Sequence, residues 1–338
     1  MVEDAKRKKP MGLKKKKDQE SENKKLKPEP VEEEENEIET VEALLETALA
    51  YYDEQDIENA LNYVRAVIHE CNRLDTEMLD KTYGQALFCL VTFDVPSVYE
   101  YYANTEPSIK EEHVGFLDLA VEKLISVKEI DDDSTFYLGA AILRKMVLMN
   151  QIDLSKIKEI WSKLSDKSRA SSFLIKTCEN DLDLPNDSYM SCLNLAIEYL
   201  EESSEKDRFG LANAHLMIGT YLQDYAEAGE NEDKETKLII DNFEKAFDCF
   251  KYVCDEDLDE DDLLLLAEIC ANLGCMQPNE SDRKNFYSKA SHYSKLAGQE
   301  LELDDEDFVN SFERRINKVD VIKTGKKSSC GKSSIIVI

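Results

Sequence analysis

The sequence predicts an all-α protein: a tetratricopeptide-like α-solenoid of short stacked helical hairpins, carried between two disordered tails. Three observations carry that expectation. Apolar residues recur with a helical period from Val41 onward, and no stretch alternates apolar and polar residues as a half-buried strand would. Only eleven Gly and seven Pro punctuate 338 residues, too few for a turn-rich all-β design. With 42% hydrophobic residues, the chain can bury a sizeable core.

Residues 1–40 differ in composition from the rest of the chain. They hold eleven basic residues, all before Pro28, then seven glutamates between Glu29 and Glu39, with no aromatic residue. A segment this polar cannot bury enough surface to offset the entropy of ordering, so it reads as a disordered tail. Lys6, Arg7, Lys8 and Lys9, followed by Lys14, Lys15, Lys16 and Lys17, form two basic clusters of the kind a nuclear import receptor accepts. They predict a nuclear protein.

The folded body is predicted over 41–322. Val41, Leu44, Leu45 and Ala48, then Ile57, Ala60, Leu61, Val64, Ile68 and Cys71, draw the apolar faces of two helices joined by a polar turn. The same spacing predicts helices over 76–92, 108–127, 134–149, 153–164, 187–202, 207–227, 237–253, 259–275, 281–297 and 304–318. Val95-Pro96, Glu106-Pro107 and Leu184-Pro185 mark breaks. Within these helices, Ala48, Tyr51, Ala60, Val64 and Val67 match a tetratricopeptide unit, where a small residue lets two helices approach and a ring fills the gap. Gly219, Leu222, Ala246, Phe250 and Val253 form a second match, with an enlarged loop over 229–235. Ala267, Ala271, Ala290 and Ala297 form a third, with a loop through Pro278 and Asn279. Residues 323–338 read as a second disordered tail.

Charge narrows the function. The chain carries a net −30, and residues 41–322 alone hold 27 basic against 60 acidic side chains, a net −33. Such a field repels polyanions and steers basic partners, so a general nucleic-acid binder is excluded. No apolar run is long enough to cross a membrane. The nine cysteines are odd in number and lie mostly inside apolar helical patterns, which suggests a reducing, intracellular setting.

The motifs that could carry chemistry fail on spacing. Gly331-Lys332-Ser333 ends like a phosphate-binding loop, but Lys326 stands where its first glycine must be. Cys249, Cys254, Cys270 and Cys275 form two C-x4-C pairs. Residues five apart on a helix point about 140° apart, so these thiols are expected in the core and not around zinc. His69-Glu70-Cys71-Asn72-Arg73 opens like a zinc-protease helix, with Arg73 in place of the second histidine. The runs Asp131–Asp133 and Asp255–Asp262 lack the ligand alternation of a calcium loop and read as solvated helix caps. No enzyme, metal site or cofactor is expected.

Several stretches share a family likeness. Lys8-Lys9-Pro10-Met11-Gly12-Leu13, Val67-Ile68-His69-Glu70-Cys71-Asn72-Arg73-Leu74, the helix from Leu211 to Leu222, Lys245-Ala246-Phe247, Leu266-Ala267-Glu268 and Asn272-Leu273-Gly274 resemble the fungal enhancer-of-translation-termination family. Its relatives include the negative regulator of a prolyl-hydroxylase-like dioxygenase. The resemblance implies a nuclear, non-enzymatic adaptor that binds a prolyl-hydroxylase-like Fe(II)/2-oxoglutarate dioxygenase. It also implies roles in translation termination and in hypoxia-responsive gene expression. His69, Glu70 and Arg73 become candidate partner contacts. The alternative is a general assembly or chaperone-like scaffold with an unrelated partner.

Overall fold

The structure, a computed structural model, describes residues 31–94, 107–180, 184–203, 207–225 and 232–298. Among the described residues there are twelve α-helices and no strand. These are α1 (Val31–Asp53), α2 (Ile57–Leu74), α3 (Asp80–Asp94), α4 (Pro107–Ser126), α5 (Asp132–Met149), α6 (Leu154–Trp161), α7 (Ser168–Asn180), α8 (Asn186–Glu202), α9 (Arg208–Tyr225), α10 (Glu232–Asp248), α11 (Glu260–Met276) and α12 (Glu280–Leu296). Each odd-numbered helix packs against its even successor. The odd helices also pack on one another in chain order, so the array grows in one dimension as an α-solenoid does.

Local chemistry places the ends. Before α2, Asp56 accepts the Asn59 amide at 3.2 Å, and after it Asp75 turns left-handed at φ 46°. Asp131 caps α5 in the same way, and Asn150 closes it at φ 53°. Between those caps α2 buries Ala60, Leu61, Val64, Val67 and Cys71, one stripe at helical spacing.

Two elements depart from expectation. First, α1 begins at Val31, not at 41: Ile38, only 7% exposed, extends the stripe of Val41, Leu45 and Ala48, and Glu37 accepts from Arg73 of α2 at 3.1 Å. Second, α7 has no counterpart among the predicted helices. Its buried face is Ala170, Ser171, Leu174, Thr177 and Cys178, so small and hydroxyl side chains dilute the apolar period. The hydroxyls are buried at little cost because Ser171 donates to the Ser168 carbonyl and Thr177 to the Phe173 carbonyl. The enlarged loops shrink too, since α10 starts at Glu232 and only Gln277–Asn279 separate α11 from α12. The predicted helix over 304–318, the tail from 323, residues 1–30 and the break at Val95-Pro96 lie outside the described residues.

Close approach within hairpins depends on missing side chains. A Cβ at Gly139 of α5 would fall inside the Trp161 indole of α6, which is fully buried and donates to the Phe136 carbonyl at 3.1 Å. Gly219 of α9 likewise receives the Phe243 ring of α10. Helix α9 is also a joint. Ala214, Ile218 and Tyr221 enter the core that begins at α1, whereas Ala212 and Leu216 enter a second core with Phe243, Ala246 and Leu266.

Gly139→Ala should therefore destabilise the protein by about 1–3 kcal/mol, the usual range for overpacking a filled core. Gly115→Ala, where a Cβ meets nothing within 4 Å, should stabilise it by roughly 0.5–1 kcal/mol through helix propensity. Urea unfolding midpoints of the two variants check both signs.

Candidate interaction surfaces

The residues predicted to pack the repeats are buried to different degrees. Ala48, Ala60, Ala246 and Ala290 are fully buried, Phe250 is buried, and Ala271 is half-buried. Tyr51 stacks on Tyr63 across the α1–α2 hairpin, with ring centroids 5.4 Å apart. The import-signal residues Lys6–Lys9 and Lys14–Lys17 lie outside the described residues.

His69, Glu70 and Arg73 are brought together on the outer surface of α2. Arg73 Nε donates to Glu70 at 2.6 Å while its Nη2 reaches Glu37 of α1, and His69 lies 3.1 Å from the other Glu70 oxygen. The two hydrogen bonds from Arg73 and His69 draw the Glu70 carboxyl below its ordinary pKa. All three groups face solvent, so the arrangement forms a charged surface feature that also ties two helices.

The acidic run Asp131–Asp133 does more than cap α5. Asp131 accepts from Lys81 of α3 at 2.6 Å, Asp132 from the Ser165 amide beyond α6, and Asp133 from Arg169 of α7 at 2.7 Å. Partial burial opposes ionisation of Asp131, yet Lys81 and Ser134 hold its carboxyl down at about 2. Arg169 in turn lies over the Phe136 ring at 4.0 Å and the Tyr137 ring at 4.8 Å. A neighbouring tie went unseen in the sequence: Asp80, 5% exposed, accepts from Lys123 at 2.7 Å and Ser126 at 2.6 Å, joining α3 to α4. Its only sequence signal is an acid at a helix start, which describes many positions in this chain. The second acidic run divides its roles: Asp259 caps α11, and Asp255 pairs with His292 of α12 at 3.1 Å.

At the α9 joint, His215 is buried and in its Nδ1–H tautomer donates to Asn242 Oδ1 at 3.1 Å. The Asn242 amide is oriented by its own donation to the Leu238 carbonyl at 2.9 Å. Burial pushes the His215 pKa below its ordinary 6.5; the Asn242 bond and Glu201 oppose that shift, and Lys245 adds to it.

The four late cysteines do not converge. Cys270 is buried, Cys249 and Cys275 are half-buried, and Cys254 is exposed beyond the end of α10. Burial pushes the thiol of Cys270 up to about 12 and that of Cys249 to about 11, and Cys71 and Cys89 also rise to about 12. Such thiols are core hydrophobes, not nucleophiles. Among the described residues no three His, Cys, Asp or Glu side chains gather to hold a metal, and no helix is long and apolar enough to cross a membrane.

No protein-family model matches this sequence, and no curated protein matches it at a significant level. A solved structure of the nuclear import adaptor Nro1, the hypoxic regulator of sterol synthesis, superposes with a TM-score of 0.52 at 17% identity. The match covers 82% of this chain and 94% of that solved chain. What the two share is the fold. A second structure, S. pombe Nro1 in space group P21, gives a TM-score of 0.48 at 16% identity, covering 82% of this chain and 99% of that one.

The buried histidine predicts a pH dependence. Because the folded pKa of His215 lies below the unfolded value, unfolding takes up a proton; the stability is fully present above about pH 6.5 and is lost as pH falls below it. Urea midpoints between pH 7 and pH 5 should fall less steeply for His215→Gln than for the parent chain.

Proposed function

We propose that this protein is a non-enzymatic nuclear import adaptor, a helical-repeat scaffold that links a protein cargo to the import machinery through its basic N-terminal segment. The observation that carries the proposal is the fold shared with Nro1 over most of both chains. The Lys6–Lys9 and Lys14–Lys17 clusters supply the chemistry an import receptor reads. Their concentrated charge makes a local contact that the acidic body does not cancel, because salt screens charges separated by more than about 8 Å.

The cargo in this proposal is a prolyl-hydroxylase-like Fe(II)/2-oxoglutarate dioxygenase, as the family resemblance implies. Through it the protein promotes correct translation termination and regulates hypoxia-responsive genes. The scaffold binds the iron enzyme and not the iron. A body of net −33 charge favours a cargo with a basic face, and the steering weakens as salt rises. His69, Glu70 and Arg73 form one docking patch on the α2 surface.

Deleting residues 1–17 should leave the helical circular dichroism unchanged while moving a tagged protein from nucleus to cytoplasm. Continued nuclear accumulation would overturn the role given to that segment. Affinity purification of the full chain should recover a dioxygenase-fold partner, and if none is recovered the cargo assignment fails in favour of a general assembly scaffold. Arg73→Ala removes only exposed ion pairs and should cost less than about 1 kcal/mol of stability. If the α2 patch docks the cargo, the same variant lowers its recovery.

A further inference from the structure

One face of the array is open beside a stretch of the chain that is locally rich in basic residues. Helix α6 is only eight residues long and packs on α5 and α8, leaving a cavity of about 230 Å³ over α5 beside α4. Val121, Met146 and Met149 give it an apolar lining, and Met149 is 44% exposed. Two cations and one acid, Lys145, Lys156 and Asp118, stand among its lining residues. Lys145 is ion-paired with Asp118, whereas Lys156 is exposed and has no ion pair among the described residues.

The surrounding sequence is exceptional for this chain. Residues 144–176 hold eight basic and three acidic side chains, inside a body with 27 and 60. Some of that charge is spent on structure, since Lys158, Lys167 and Arg169 pair with Glu198, Glu202 and Asp133. Lys156 and the exposed Lys163 and Lys176 have no such ties among the described residues.

We propose that this groove is a docking site for a short acidic peptide segment bearing apolar side chains, contributed by a protein partner. Thioether side chains adapt to different apolar groups, so the floor selects for hydrophobicity more than for shape. The rim selects carboxylates. At physiological salt, screening over about 8 Å lets Lys156, which lines the groove, outweigh acids elsewhere on the body. A nucleic acid would use the cations but leave the apolar floor unpaired. The site goes beyond the import proposal and does not depend on it, because the purified chain alone can be tested.

The probe is a fluorescein-labelled decapeptide alternating acidic residues with Leu or Phe, titrated with the full chain and followed by anisotropy. Saturable binding is expected, at least tenfold weaker when the apolar residues become Ser or the acidic residues become Lys. Lys156→Glu and Met149→Ser, both at exposed positions, should each weaken it at least fivefold with unchanged melting temperatures. Absence of saturable binding to the parent chain, or binding indifferent to both substitutions, overturns the proposal.

Discussion

The architecture depends on helices that approach closely, and in four of the six hairpins one helix lacks a side chain at the contact. Gly139 admits Trp161 and Gly219 admits Phe243; Gly84 and Gly274 receive Leu124 and Tyr287 in the same way. In all four, the glycine is on the first helix of a hairpin and the bulky residue on the second. A glycine inside a helix is unfavourable by about 1 kcal/mol relative to alanine. Burying an aromatic side chain of 150–250 Å² at about 25 cal/mol/Å² returns roughly 4–6 kcal/mol at most, so packing wins. Trp161 extends the effect, lying within 6.5 Å of the Phe136, Phe173 and Tyr199 ring centroids and so joining four helices. An eight-residue helix such as α6 is too short to persist alone, and this anchor is what holds it in place.

Charge acts on a second level. The exposed ion pairs that link α3, α5 and α7 are individually weak, but Asp131, Asp132 and Asp133 send three consecutive side chains to three different elements. Asp80 differs because it is buried: removing Lys123 would leave a desolvated carboxylate, the costly way to break such a pair. Among the described residues most of the remaining acids are exposed. Lys156 of α6, which lacks an ion pair among the described residues, is an exception, and it lines an apolar opening.

Much of this was visible in the amino-acid order. The stripe from Val41 through Cys71 foretold α1 and α2, and Ala48, Ala60, Ala246, Ala267 and Ala290 are buried while Ala271 and Ala297 are half-buried. Helix α7 was hidden because Ser171 and Thr177 occupy core positions that Leu or Ile would ordinarily mark, and their back-bonded hydroxyls are seen only once the helix exists. The start of α1 was obscured by glutamates at 32–35, which suit both a solvated tail and the positive end of a helix dipole. Ile38 decides between them only when α2 and its Arg73 stand opposite.

The sequence by itself determined the helical class, the hairpin rhythm and the acidic body with its basic leading segment, because periodicity and net charge are sums over many residues and survive local ambiguity. Only the tertiary structure decided which glycine seats which ring, which acids are ties and which caps, that the four late cysteines stay apart, and where the outer layer opens beside Lys156. Those outcomes depend on distances between residues far apart in the chain, and no local pattern encodes them.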